Sequence, residues 1–342
     1  MNLLNLGMIY QKKLLILKYF IFSLITMVLA MTLTNCITEP PLPLKIGFNL
    51  WPGYETLYLA RDLGYYDKKP IKLIDYPSGT EVVRAYRNQE IEAAGLSMDQ
   101  ALVLAETKKN LKIIAIIDVS DGGDVILGRP EITNMKGLKG KRVGLEATSL
   151  GAFLIARALE KNGMSVKDIQ IVSLELSEHE RAYKQAEVDA VVTFGPAKIK
   201  VLEAGARLLF DSSQIPGEIV DVIVVSEDVI NKNYDRIQSL VNGQFQALDY
   251  LEKNPQDAGI RMAKRTQVKP KQILNSFKGL RQPNLEENQR LFDQSDPSFV
   301  NGMRKLVKIM IANKLLSQDI DPANLIDDRF IKNAKFSTHK ND

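Results

Sequence analysis

The side chains able to hold or transform a small molecule gather in short turns that follow apolar runs. Trp51, Tyr54 and Glu55 stand in the turn Trp51-Pro52-Gly53-Tyr54-Glu55, directly behind the run Lys45-Ile-Gly-Phe-Asn49. Pro52 fixes its own φ and Gly53 is permissive, so a strand must stop there and present these side chains at its carboxyl end. Further turns offer Ser78, Gly79 and Thr80; Ser97, Met98 and Asp99; Glu146, Thr148, Ser149 and Gly151; Glu178 and His179; and Phe194. Asn49 adjoins the first turn, and Asp121, Asp124 and Glu218 lie near expected chain crossings. Hydroxyls and free backbone N–H groups at 78–80 and 148–151 suit a sulfonate, carboxylate or nitrate. No Lys or Arg lies in these turns to neutralise it, whereas the acids Glu55, Asp99, Asp124, Glu146, Glu178 and Glu218, with Trp51, Tyr54 and Phe194, suit a cationic amine or a heterocycle. A zwitterion satisfies both halves. Taken singly, each hydroxyl or acid is also what a helix N-terminus favours without any ligand.

Catalytic and metal-binding patterns are missing. The two histidines, His179 and His339, are far apart in sequence, the only cysteine is Cys36, and no H-E-x-x-H, C-x-x-C, G-x-S-x-G or G-x-x-x-x-G-K-[ST] spacing occurs. The expectation is a binding protein with no cofactor and no metal rather than an enzyme. No Lys/Arg run with interleaved aromatics points to nucleic acid.

The elements that must position these turns alternate between strand and helix patterns, which argues for parallel sheets covered by helices. Strand-like runs at 45–49, 71–75, 91–95 and 111–117 form a first block, with helices carrying Leu57, Leu59, Ala60 and Leu63, then Val82, Val83, Ala85 and Tyr86, then a third through Ala105. Gly64 is placed to end the first helix. A second block after Asp121-Gly-Gly-Asp124 has strands at 142–146, 169–174 and 188–193. Ser177-Glu-His-Glu180 has the spacing of a capping box. From Ser226 the pattern is helical, with Ile237, Leu240, Val241, Phe245, Leu248 and Leu251 in register, a break at Pro255, and further helices near 270–277, 285–293, 298–313 and 328–335.

The amino terminus carries Lys12, Lys13 and Lys18 without an acid, followed by the uncharged, largely apolar run Tyr19–Asn35, the n-region and h-region of a signal peptide. Leu33-Thr34-Asn35-Cys36 resembles the lipobox of bacterial lipoproteins, in which the cysteine is acylated and becomes the first mature residue. Asn35 departs from the small residue usual there. Ile37–Leu44 is Pro-rich and suits an extended tether. Three of the 45 basic residues precede Cys36 and all 41 acids follow it, so the formal charge of +4 falls to about +1 after cleavage. A mature domain without cysteine fits an oxidising compartment.

The segment Gly47–Tyr66, GFNLWPGYETLYLARDLGYY, resembles the first βα unit of the substrate-binding proteins of ABC importers of the nitrate/sulfonate/taurine group. Gly137–Glu146 (GLKGKRVGLE) and Val188–Ala197 (VDAVVTFGPA) resemble later parts of the same family. The resemblance implies an α/β type 2 periplasmic-binding-protein fold: signal peptide 1–35, tether 36–43, lobe 1 from 44–120 and 222–336, lobe 2 from 121–221, and a disordered tail 337–342. The crossings fall near Val119–Asp124 and Asp211–Asp221. It implies a monomer, lipid-anchored through Cys36 in the cell envelope, that hands a small sulfonate-like, amine or pyrimidine-like solute to ABC permease and ATPase subunits. A periplasmic sensor of the same fold is the alternative. Pyrimidine-forming enzymes that share the fold carry a cysteine-rich motif absent here. The expected ligand set is Asn49, Trp51, Tyr54, Glu55, Ser78, Gly79, Thr80, Ser97, Asp99, Asp124, Glu146, Thr148, Ser149, Glu178 and Phe194.

Overall fold

A computed structural model describes residues 13–26, 42–66, 69–146, 150–293 and 295–335. Residues 13–26 are helical and belong to a unit, Met1–Leu42, separate from the unit Pro43–Asp342 that holds the sheets. Cys36, the expected cleavage point, most of the tether, Thr148, Ser149 and the tail 337–342 lie outside the described residues. Among the described residues no helix is long and apolar enough to cross a membrane.

Two sheets organise the second unit. The first runs β11-β4-β10-β3-β1-β2, with β1 Leu44–Asn49, β2 Ile71–Tyr76, β3 Ala93–Ser97, β4 Leu111–Ser120, β10 Val220–Ser226 and β11 Leu280–Arg281. The second runs β7-β6-β8-β5-β9, with β5 Val125–Gly128, β6 Arg142–Leu145, β7 Gln170–Ser173, β8 Ala190–Thr193 and β9 Arg207–Asp211. The pairs β1–β2, β1–β3, β6–β7 and β6–β8 are parallel, while β10 lies antiparallel between β3 and β4, and β5 lies antiparallel between β8 and β9. β4 and β10 are apolar almost throughout because helices cover both faces of their sheet, so they lack the alternation of a half-exposed strand.

The two crossings between sheets are stitched side by side. Ser120 Oγ and Ser212 Oγ lie 2.8 Å apart, Gly122 N–H donates to Ser212 Oγ at 2.7 Å, and Ser212 N–H donates to the Asp124 carbonyl at 3.0 Å. Asp121 N–H donates to the Gly279 carbonyl at 2.8 Å, tying the same point to the chain before β11.

The long helix Glu227–Lys253 carries the expected apolar positions and stops before Pro255. Pro255 does more than break it. The residue occupies the first position of a new helix, Pro255–Thr266, where a missing N–H has no partner to lose. The capping box expected at Ser177 is not formed. A 3₁₀ turn, Leu176–Glu178, intervenes, Glu178 Oε2 accepts from Glu175 N–H at 3.0 Å, and the helix His179–Lys184 starts without a side-chain cap.

Candidate functional site

The same edge of each sheet supplies a single cleft. β1, β3, β6 and β8 end in Asn49, Ser97, Leu145 and Thr193, and the residues that follow turn into helix starts. β10 and β5 run the other way, so their beginnings reach this edge and bring Asp221 and Asp124 with them. The cavity is lined by Asn49, Trp51, Ser97, Gln100, Asp124, Glu146, Leu150, Phe194 and Asp221. Its volume is about 10 Å³, room for roughly one water, so side chains from the two sheets meet across it.

The turn after β1 makes the floor. Trp51 Nε1 donates to both carboxylate oxygens of Asp118, at 3.2 and 3.1 Å, and the Tyr54 hydroxyl donates to Asp221 Oδ1 at 3.1 Å. Asp118 and Asp221 face each other across the β4–β10 ladder. The Trp-Pro-Gly order is required by this packing: a Cβ on Gly53 would stand 1.6 Å from Asp118 Oδ2. Trp51 meets Phe194 of the opposite lobe edge to face, with centroids 5.7 Å apart and planes at 79°.

Carboxyl groups dominate the electrostatics. Asp118 and Asp124 are pushed up to about 7, chiefly by burial, which disfavours the charged form. Asp221 is raised well above the ordinary carboxyl range by burial and then by Asp118 and Asp124. Glu146 is pushed up to about 7 by burial and by Glu175, while the hydroxyls of Ser78 and Thr80 pull the other way. Glu146 thus reaches from the second lobe to the first. The base that acts on Asp124 is Lys198, whose Nζ donates to the Gly122 carbonyl at 2.7 Å and whose pKa burial lowers.

Six expected residues, Asn49, Trp51, Ser97, Asp124, Glu146 and Phe194, line this one cavity. Tyr54 and Asp99 are buried outside its lining, and Ser78, also buried, accepts from Glu81 N–H at 3.3 Å as a helix cap, with Gly79 packed against the Gln100 amide. Glu55 is not in the lining. Its carboxylate is held by Arg265, which also bonds Asp75 at 2.9 Å and lies 3.8 Å over the Tyr58 ring. Glu178 is half-buried and pairs with Arg181 at 3.4 Å. Glu218 is clamped by Arg157 Nε at 2.7 Å and Lys305 Nζ at 2.9 Å. His179 is buried on Thr193, Nδ1 to Oγ1 3.1 Å, and burial lowers its pKa to about 4. Gln100, Leu150 and Asp221 were not expected in the lining. The signal for Asp221 and its partner Asp118 was available, since each is a lone acid inside an apolar strand run, and a buried charge demands a partner or a task.

Residues 51–258, more than half of the chain, match the family described as NMT1/THI5 like. The chain belongs to the NMT1/THI5-like family. A relative named "Putative aliphatic sulfonates-binding protein" from Escherichia coli (strain K12) is 22% identical over 250 residues, covering 71% of this chain and 77% of that protein. Among solved structures, the alkanesulfonate-binding protein SsuA from Xanthomonas axonopodis pv. citri bound to MOPS superposes with a TM-score of 0.71 at 19% identity, covering 85% of this chain and all of that one (100%). The ligand-binding component of an ABC-type import system from Staphylococcus aureus, solved with zinc bound, gives 0.72 at 12% identity, covering 86% and 100%. This NMT1/THI5-like chain therefore has the two-lobed α/β periplasmic-binding-protein fold expected from its sequence. Among its described residues no group of three or more His, Cys, Asp or Glu is arranged to hold a metal ion.

Proposed function

We propose that the chain is an extracytoplasmic solute-binding lipoprotein that delivers a small nitrogen- or sulfur-containing organic solute to the permease and ATPase of an ABC importer. The observation that carries this reading is a cleft lined from both lobes and closed by contacts across it, in a chain whose relatives are named as binding proteins. Hinge closure over a solute is the state such a transporter reads. In this reading the solute is bound and released unchanged by a monomer, residues 1–35 direct export, and Cys36 carries the lipid. The lobes then comprise 44–120 with 222–336, and 121–221.

Two experiments test it. The small molecule that co-purifies with the protein, recovered by denaturation and weighed by mass spectrometry, should match a compound whose uptake fails when the gene is deleted; recovery of a chemically altered product would make the chain an enzyme instead. Cys36→Ser should abolish labelling by a fatty-acid analogue, because thioether attachment needs the sulfur, and persistent label would overturn the anchor.

A further inference from the structure

Taking the cleft as the solute site, the geometry points to an organic cation as its occupant, an ammonium or amidinium group set against Asp124 and Asp221 with its apolar body against the aromatic surface of Trp51 and Phe194 once the lobes part to admit it. Asp124 is only 1% exposed, lines the cavity and its continuation toward Thr193, and its Oδ2 has no hydrogen-bond partner. Glu146 Oε1 is also without one. A buried carboxylate oxygen left unpaired is a standing penalty that a donor arriving with the solute removes. Asp221 adds a third carboxyl to the same wall, and no Lys or Arg is among the lining residues. Lys198, the base that acts on Asp124, has its ammonium on the Gly122 carbonyl. Once Asp124 and Glu146 ionise, an anionic solute would add its charge to theirs in a poorly hydrated space, where repulsion is weakly screened. A cation reverses the sign of each of those interactions. The edge-to-face pair of Trp51 and Phe194 offers aromatic surface beside the acids, which suits the flat or alkyl part of such a molecule and adds attraction for its charge.

Proton linkage follows from the same groups. Asp118, Asp124 and Glu146 sit near 7 in the solute-free cleft, and Asp221 is raised as well. A cation favours their ionised forms, so binding releases protons and affinity rises with pH between about 6 and 8.5. The groups that act on these acids include Asp99, Tyr54, Glu175 and Lys198, and Lys198 alone among them opposes the cation.

Trp51 is the sole tryptophan and lines this cleft, so tryptophan emission responds to binding there. The test uses the full-length protein in mild detergent at pH 8 with matched probes: benzamidinium and benzylammonium, neutral benzamide, and benzoate and benzenesulfonate. Benzamidinium or benzylammonium should raise the Tm and change Trp51 emission. Asp124→Asn, and separately Glu146→Gln, should weaken that binding at least tenfold while the variants still unfold cooperatively. Binding of benzoate or benzenesulfonate with the cations silent overturns the cationic assignment and leaves the cleft as a solute site, since Trp51 still responds. Failure of every probe to move either signal counts against both.

Discussion

Asp124→Asn tests the electrostatics of the cleft through stability alone. An acid whose pKa is higher in the folded chain than in the unfolded chain leaves stability intact below its unfolded value. It then lowers stability progressively as pH climbs toward the folded value, because the unfolded chain loses its proton first. For Asp124 that window runs from the ordinary carboxyl value of 3.8 to about 7. Each pH unit across the window changes stability by about 1.4 kcal/mol, so the fully buried carboxyl makes the solute-free protein roughly 4 kcal/mol less stable at pH 8 than at pH 4. Asn removes the ionisation and keeps the shape. At about 2.1 cal/mol/K per residue for the Pro43–Asp342 unit, the Tm advantage of the variant over the native protein should grow by ~6 °C from pH 4.5 to pH 8.5. Asp118, Asp221, Asp99, Glu146 and Lys198 are present in both proteins and largely cancel in the difference. Circular dichroism melts of both across this range decide it. A Tm difference that stays constant with pH would refute the claim that Asp124 is buried and poorly paired.

Three other perturbations separate framework from cleft. Arg265→Ala strands the buried Glu55 carboxylate and should lower stability by about 3–5 kcal/mol, near 5–8 °C in Tm, with solute affinity unchanged; a matching loss of affinity would return Glu55 to the ligand set. Gly53→Ala drives a methyl into the Asp118 carboxylate, so Trp51 emission should shift and stability fall by roughly 1–3 kcal/mol in melts, and an unchanged spectrum would show the floor to be loose. Raising the pH of the solute-free protein from 5.5 to 8.5 should increase the radius of gyration measured by X-ray scattering, because ionising the acids of the closed cleft favours separated lobes, and a radius indifferent to pH would contradict this.

The legible part of the sequence was the part with local causes. The turn at Trp51-Pro52-Gly53 announced itself by φ constraints, and its helix by the spacing of Leu57, Leu59 and Ala60, all of them buried. What escaped was set by distant partners. β10 passes straight into the helix Glu227–Lys253, and what makes it a strand is the antiparallel ladders to β3 and β4, more than a hundred residues away in the chain. β5 has four residues, too few for periodicity to register. Glu55 lies outside the cavity lining for a reason of the same kind. Its position at a helix start beside Trp51 suggested a ligand, but Arg265 comes from 210 residues further along the chain, and no local pattern reports that pairing. Glu178 ends a 3₁₀ turn and pairs with Arg181, outside the cavity lining.

The closed cleft is held by two opposing sets of contacts, and their opposition gives solute charge a signalling role. Trp51 on Phe194, Glu146 on Ser78 and Thr80, and Arg157 with Lys305 on Glu218 draw the lobes together. Asp124 and Glu146 from one sheet and Asp221 from the other push them apart once ionised, since opening returns their charges to water. A solute shifts such an equilibrium only by the difference in its affinity for the two states. Moving the closed state from a one per cent minority to near-complete occupancy takes about 5.5 kcal/mol of that difference. A neutral molecule would have to supply it from packing in a space that closes almost completely. A cation gains with each carboxyl that stays ionised on closure, and those gains exist only in the closed form, where the acids converge. The chemistry that selects the solute is then also the chemistry that shuts the lobes, and the closed shape offered to a transporter carries the information that a positive charge is inside.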